Sequence, residues 1–175
     1  ELARFFAGIR SVRDRALFTV CYHYGLRVDE VPLLTLADVD LRASRLRVRR
    51  LKNGLGGEKP LWRQTAKLIR AYLRVRRGES SYLFVGRKGP LRKRQIQHLF
   101  SQYAIQAGIS GRSVHCLRHS IAVHLLDEGR GIEYVADHLG HKNITNTRIY
   151  AQISHPLREQ IFHDLEGARK IVWPQ

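Results

Sequence analysis

Apolar residues recur at helical spacing along most of the chain and alternate only once. Behind Ser11, a natural helix cap, Val12, Ala16, Leu17, Val20 and Cys21 form one stripe that runs to Tyr24 and stops at Gly25. A second short helix is expected after Arg27, carrying Val31, Leu33, Leu34 and Leu36, with Pro32 inside it where no backbone N–H is available. From Arg45 to Arg50 charged and apolar residues alternate, Lys52-Asn53-Gly54-Leu55-Gly56-Gly57 is turn chemistry, and Lys59-Pro60-Leu61-Trp62 returns. That is a β-hairpin, and Pro60 suits an edge. Ala66, Ile69, Tyr72 and Leu73 mark an amphipathic helix over 63–77 with a basic outer face. A short apolar run, Tyr82 to Val85, leads into a Gly-Arg-Lys-Gly-Pro loop. Ile96, Leu99, Phe100, Tyr103 and Ala107 then predict a helix over 91–107. Leu117, Ile121, Ala122 and Leu125 predict another over 114–127, and a shorter one spans 133–138, closed by Gly140. Asn143 or Thr145 caps the next, which carries Arg148 and Tyr150. A last helix is expected over 157–166 with Leu157, Ile161, Phe162 and Leu165 apolar. No repeat, low-complexity stretch or linker interrupts the series. The expected fold is a single domain, mainly α with a small antiparallel β-sheet (α+β).

Charge narrows the function. Across 175 residues, 31 Lys and Arg against 15 Asp and Glu leave +16, with a pI near 10.7. A long polyanion is the economical partner, because every phosphate neutralised releases a condensed counterion. Anionic lipid is disfavoured by the lack of an 18-residue apolar run or a lipidation signal. Two cysteines, Cys21 and Cys116, fit a reducing, cytoplasmic setting on the nucleoid better than a disulfide scaffold. The chain has no methionine and opens at Glu1 in helix-like sequence, so it is expected to be one domain of a longer protein.

The candidate chemistry lies between His115 and Tyr150. A tyrosine is a weak nucleophile at neutral pH unless something neutralises the phosphate and aims the hydroxyl. His115 and Arg118, three apart on a helix, face one anion together, and His141 follows nine residues before Tyr150. Upstream, Arg27 at a helix start gains little from the helix dipole unless an anion meets it there, and Glu30 is placed to hold it. A solvated Arg–Glu pair is the bland alternative. A hairpin-tip lysine, Lys52 or Lys59, is either solubilising or a proton donor delivered into a groove. Arg92, Lys93 and Arg94 open a helix and suit phosphate contacts that position without reading sequence. His115 and His119 have the spacing of a zinc pair with Cys116 between them, but Arg118 would repel a cation and no glutamate completes the motif. His119 and His124 are expected elsewhere on the surface of that helix. His124 and His138 read as structural or surface histidines.

Gly25-Leu26-Arg27-Val28-Asp29-Glu30, the hairpin lysine, His115-Cys116-Leu117-Arg118-His119-Ser120, Leu139-Gly140-His141 and Thr147-Arg148-Ile149-Tyr150 resemble, in order, the boxes of the tyrosine recombinase (phage integrase) family. The resemblance covers nearly all of 1–175 and is to the family's C-terminal, Xer-like catalytic domain. It implies Arg27 and Arg118 as the paired arginines, Lys52 as the hairpin lysine ahead of Lys59, His115 and His141 as the histidine positions, Tyr150 as nucleophile and Glu30 as support. It further implies cleavage and rejoining of double-stranded DNA through a 3′-phosphotyrosyl ester with no cofactor. Strand exchange through a Holliday junction in a homotetramer would serve integration, excision or resolution of a mobile element. Residues 155–175 would dock on a neighbouring subunit. Two other readings are a type IB topoisomerase, which shares the chemistry, and a DNA-binding module with none.

Overall fold

The computed structural model describes residues 1–51, 54–87, 89–109 and 111–151. Its helices are α1 (Leu2–Gly8), α2 (Val12–His23), α3 (Arg63–Val75), α4 (Lys93–Gln106), α5 (His115–Asp127), α6 (Ile132–Leu139) and α7 (Thr145–Ala151). The strands are β1 (Val39–Asp40), β2 (Arg45–Val48), β3 (Gly57–Pro60), β4 (Val85–Gly86) and β5 (Gly89–Pro90). The α+β expectation holds.

Helix α2 is the axis. Ser11 Oγ accepts from Asp14 N at 3.3 Å, which caps one of the orphan amides of the first turn. Ala16, Leu17, Val20 and Cys21 are then wholly buried, while Val12, expected in the same stripe, stands 39% exposed in that first turn. The helix packs against α3 on one side and α5 on the other, and α1 lies on α4. Phe5, Phe18, Phe100 and Tyr103 fill the space between, with ring centroids 4.8–6.5 Å apart. A second cluster of Ile121, Leu125, Leu126, Val135, Leu139 and Tyr150 joins α5, α6 and α7.

The hairpin becomes a three-stranded antiparallel sheet in the order β1-β2-β3, with Leu46 opposite Lys59 and Arg45 opposite Pro60. Pro60 is on the edge strand, where its missing donor costs no ladder bond. The return arm is displaced from the expected 59–62, because Trp62 leaves the sheet to become the N-cap of α3. Tyr24 fixes that corner: its hydroxyl donates to Pro60 O at 2.9 Å and accepts from Trp62 N at 3.1 Å.

Two further expectations are corrected. No α-helix follows Arg27; Val31–Leu33 and Leu36–Asp38 are separate 3₁₀ turns. Pro32 opens the first of them, and Thr35 starts the second by donating its N–H and hydroxyl to Asp38 Oδ2, so the local bonds favour turns over a continuous helix. The loop after Val85 is paired, β4 with β5, and the run before it is held to the Leu34 segment by Leu83 N–H on Leu34 O. The expected last helix and the docking tail, 155–175, lie outside the described residues.

Candidate active site

Three chain ends converge beside the start of α5: the Gly25 turn that closes α2, the loop to Glu30, and the Gly140 turn that closes α6. Gly25 has φ +54°, where a side chain would be strained, and a Cβ there would stand 2.5 Å from Leu139 Cδ2, so Leu139 would have to give way as well.

Arg118, on the second turn of α5, enters this junction and is only 1% exposed. Its Nη1 donates to Gly25 O, and Nη2 donates to Leu139 O at 3.0 Å and to His141 Nε2 at 2.7 Å. A guanidinium has no lone pair to offer, so His141 Nε2 is the acceptor and its proton sits on Nδ1. That proton goes to the buried Thr147 Oγ1 at 2.8 Å. Burial, then the charges of Arg118, Arg27 and Arg50, push the His141 imidazolium down to about 4. His141 is therefore neutral here and accepts from Arg118. The same burial, with Arg27 and Arg50 nearby, lowers Arg118 itself to about 10, still charged at neutral pH.

Arg27 lies in the loop, not at a helix start, and remains partly open, with 28% of its side chain exposed. Its Nη1 donates to Glu30 Oε1 at 3.0 Å and its backbone N–H to Oε2 at 2.9 Å. Glu30 is 1% exposed and also accepts from Arg50 Nη1 at 2.9 Å and Leu51 N at 3.2 Å. Burial alone would raise that carboxyl; Arg50 and the bonds from Arg27 outweigh it and hold it below the usual range. Two guanidiniums on one carboxylate, with Arg118 on the neighbouring carbonyls, leave the pocket with fixed positive charge.

Arg50 was not singled out from the sequence. The signal was there: along the alternating segment Leu46 and Val48 face the core, and Arg50 occupies the next position of that inward parity.

Tyr150, on α7, is 2% exposed. Burial raises its phenol, and the charges of Arg118 and then Arg27 pull the other way. Its ring is 5.3 Å from that of His119, which meets His115 edge to face at 4.5 Å. His119 is thus half-buried against Tyr150, not out on the helix surface, because α7 crosses α5 one turn beyond His115. His115 stays exposed, and partial desolvation of its ring, then the charges of His119, Arg118 and Arg27, lower it below its ordinary range. No further His, Cys, Asp or Glu joins the His115–His119 pair to make a metal-holding group among the described residues. His138 and His124 hold structure: His138 Nε2 donates to His23 O at 2.8 Å, and His124 Nδ1 pairs with Tyr22 Oη at 2.7 Å.

Lys52 lies outside the described residues. The chain on either side of it is fastened to the pocket, by Leu51 N–H on Glu30 and by Leu55 N–H on Gly140 O at 3.2 Å. Lys59 is instead engaged with Asp137, at 2.5 Å to Oδ2, on the outer side of α6. Arg92, Lys93 and Arg94 are exposed at the start of α4, and Lys93 Nζ reaches Asp29 Oδ2 at 2.9 Å, two residues from Arg27. That pair puts Lys93 at the pocket's border.

An acid sensitivity follows. His141 and His23, the latter lowered chiefly by burial and then by His138, both titrate near 4 when folded against an ordinary 6.5. Between those values the unfolded chain binds protons that the folded chain refuses, so stability falls as pH drops through that window. Urea midpoints should be lower at pH 5 than at pH 7, and His23→Gln with His141→Gln should shrink the difference. Equal midpoints for the unsubstituted protein would contradict the assignment.

The sequence profile of the phage integrase family matches residues 2–155. The tyrosine recombinase XerA of Thermococcus kodakarensis is 39% identical over 146 residues, covering 81% of this chain and 51% of that protein. XerC of Neisseria meningitidis is 38% identical over 151 residues, 82% of this chain and 48% of that protein. The type 1 fimbriae regulatory protein FimB of Escherichia coli is 33% identical over 149 residues, 82% of this chain and 74% of that protein. The chain spans about half the length of the XerA and XerC relatives it matches. A crystal structure of XerA recombinase superposes with a TM-score of 0.80 at 24% identity, covering 98% of this chain and 62% of that one. XerH recombinase in a post-cleavage complex with its difH substrate gives 0.76 at 20%, covering 94% and 51%. A profile match over most of the sequence, joined by this shared fold, means that the chain belongs to the phage integrase family of tyrosine recombinases.

Proposed function

We propose that this chain is the catalytic unit of a site-specific recombinase that cuts and rejoins double-stranded DNA. The observation that carries the reading is a single tyrosine whose hydroxyl is influenced by both Arg118 and Arg27, beside a neutral His141 bonded to Arg118. Tyr150 Oη attacks a phosphorus; the Oη–P bond forms and the bond from phosphorus to the 5′ oxygen breaks, leaving a 3′-phosphotyrosyl ester. Charge accumulates on the two non-bridging oxygens in the transition state, and arginines already held in place need little reorganisation to meet it. Glu30 keeps Arg27 aimed. His115, neutral and exposed beside His119, takes the phenolic proton, and Lys52, flanked by anchored residues, returns one to the departing oxygen. His141 serves through Nε2, orienting Arg118 while Thr147 fixes its tautomer. One ester replaces another, so the ester bond keeps the energy needed for resealing and no nucleotide is consumed.

The charge of +16 suits duplex DNA, and the related XerH was solved on its difH substrate. Arg92, Lys93 and Arg94 contact phosphates at the pocket's border. A homotetramer on DNA brings the two duplexes together for exchange. Incubating the full-length protein with a nicked half-site selected from its bound DNA should trap a denaturation-resistant adduct; none with any selected site would remove the proposal. Arg92→Ala should weaken DNA binding several-fold and flatten its salt dependence by about one unit of slope, with cleavage of bound DNA unchanged. Equal losses in binding and in cleavage of bound DNA would take Arg92 out of that role.

A further inference from the structure

Arg50 is a second guanidinium closed off beside the buried Arg118, with 1% of its side chain exposed. Its Nη1 donates to Glu30 Oε2 at 2.9 Å and Gly25 O at 3.1 Å; its Nη2 donates to Tyr24 O and to His138 O, each at 2.8 Å. These acceptors come from three separate segments: the end of α2, the Arg27 loop and the last turn of α6. Two of them are shared with the reacting arginines, since Glu30 also holds Arg27 and Gly25 O also takes Arg118. The turn before His141 is fitted to the same side chain. A Cβ on Gly140 would stand 2.8 Å from Arg50 Nε and 3.0 Å from its Cγ.

Stability alone is a poor explanation for this residue. Desolvating a guanidinium costs several kcal/mol, and well-packed apolar groups often replace a buried ion pair without loss. What the planar fork adds is direction: two nitrogens, each with two acceptors, fix four oxygens in one plane. A lysine has one nitrogen and cannot span them.

The geometry points to Arg50 as a positioning residue: its guanidinium sets the spacing between the loop that bears Arg27, the carbonyl that orients Arg118 and the turn that leads to His141. It touches no reacting atom and acts through Glu30, Gly25 and His138. The inference rests on the recombinase reading for its kinetic arm, and a second arm does not.

The test uses the full-length protein with Arg50→Lys and Arg50→Met. Both variants should keep a cooperative fold and bind DNA within about 3-fold of the unsubstituted protein, while adduct formation on bound DNA slows about 100-fold, as expected when donors to the transition state are misplaced. Because Arg50 acts in part through Arg27, the double variant with Arg50→Lys and Arg27→Lys should lose clearly less than the product of the two separate losses; a purely structural role would multiply them. Independently of catalysis, the His141 ring resonances in NMR spectra should shift in Arg50→Lys while those of the remote Phe5–Phe18–Phe100 cluster stay put. Cleavage at the unsubstituted rate, multiplicative losses, or an unmoved His141 would each overturn the role. An unsubstituted protein that forms no adduct would reject the recombinase reading, leaving the His141 resonances to judge Arg50.

Discussion

Tyr150→Phe is expected to abolish the covalent protein–DNA adduct, with a loss of at least about 10⁴-fold, while leaving the fold and DNA binding nearly intact. The substitution deletes one oxygen. The ring stays packed against Ile121, Leu125 and Leu139 and against His119, so the stability change is about 1 kcal/mol or less. The size of the kinetic loss follows from chemistry no other group in the pocket can replace. The phenol is raised by burial and only partly pulled back by Arg118 and Arg27, so as described it is a protonated reserve, 2% exposed. To react it must shed its proton and meet a phosphate. Single-turnover assays on a nicked half-site, with binding followed separately, check this. An adduct that survives the substitution would move the nucleophile elsewhere and sink the assignment of the site.

The architecture was readable wherever one periodicity dominated. Helix α2 shows this: Ser11 and Gly25 bound it, and its i, i+3, i+4 stripe is the core. Reading failed where local hydrogen bonds compete with periodicity. The stretch after Arg27 has enough apolar residues for a helix, but the Thr35–Asp38 cap and Pro32 turn it into two 3₁₀ turns. The consequence is useful, since Glu30 curls back onto the Arg27 amide, as Gln95 does onto the Arg92 amide at the start of α4. The Arg27, Glu30, Arg118, His141 and Tyr150 neighbourhood was expected from ordered motifs. Pairwise bonding within it was not, because which nitrogen of His141 carries the proton depends on Thr147 and Arg118 meeting it from two other elements. His119 escaped for a similar reason: its partner, Tyr150, comes from α7, and spacing along α5 says nothing about what crosses it. Arg50 was hidden by composition. Among the many arginines of a +16 chain, the one at an inward strand position looks like its neighbours until its parity is counted.

Arg118→Lys, conservative in charge, should lower cleavage of bound DNA about 10³-fold and also destabilise the fold. Arg118 meets three acceptors from its two terminal nitrogens: Gly25 O, Leu139 O and His141 Nε2. A lysine ammonium carries its donors on one tetrahedral nitrogen and sits shorter in the junction, so it cannot serve all three. Each buried acceptor left unpaired costs about 1–3 kcal/mol, and one such loss is enough to shift a urea midpoint measurably. The cleavage loss is separate from this. In the transition state the non-bridging oxygens carry more charge than in bound DNA, and a planar, permanently charged fork answers both at fixed distances where a point charge answers one. Binding, which draws on many phosphate contacts over the basic surface, should change less than about 5-fold. Arg118→Met separates the two effects: it removes the charge and every donor yet fills the junction with apolar volume. The Lys variant should therefore unfold no later than the Met variant, because its cation stays buried without its full set of partners, yet cleave faster because some positive charge remains at the phosphate. If the order of cleavage followed the order of stability, Arg118 would be a structural group and the pocket's chemistry would have to rest on Arg27 alone.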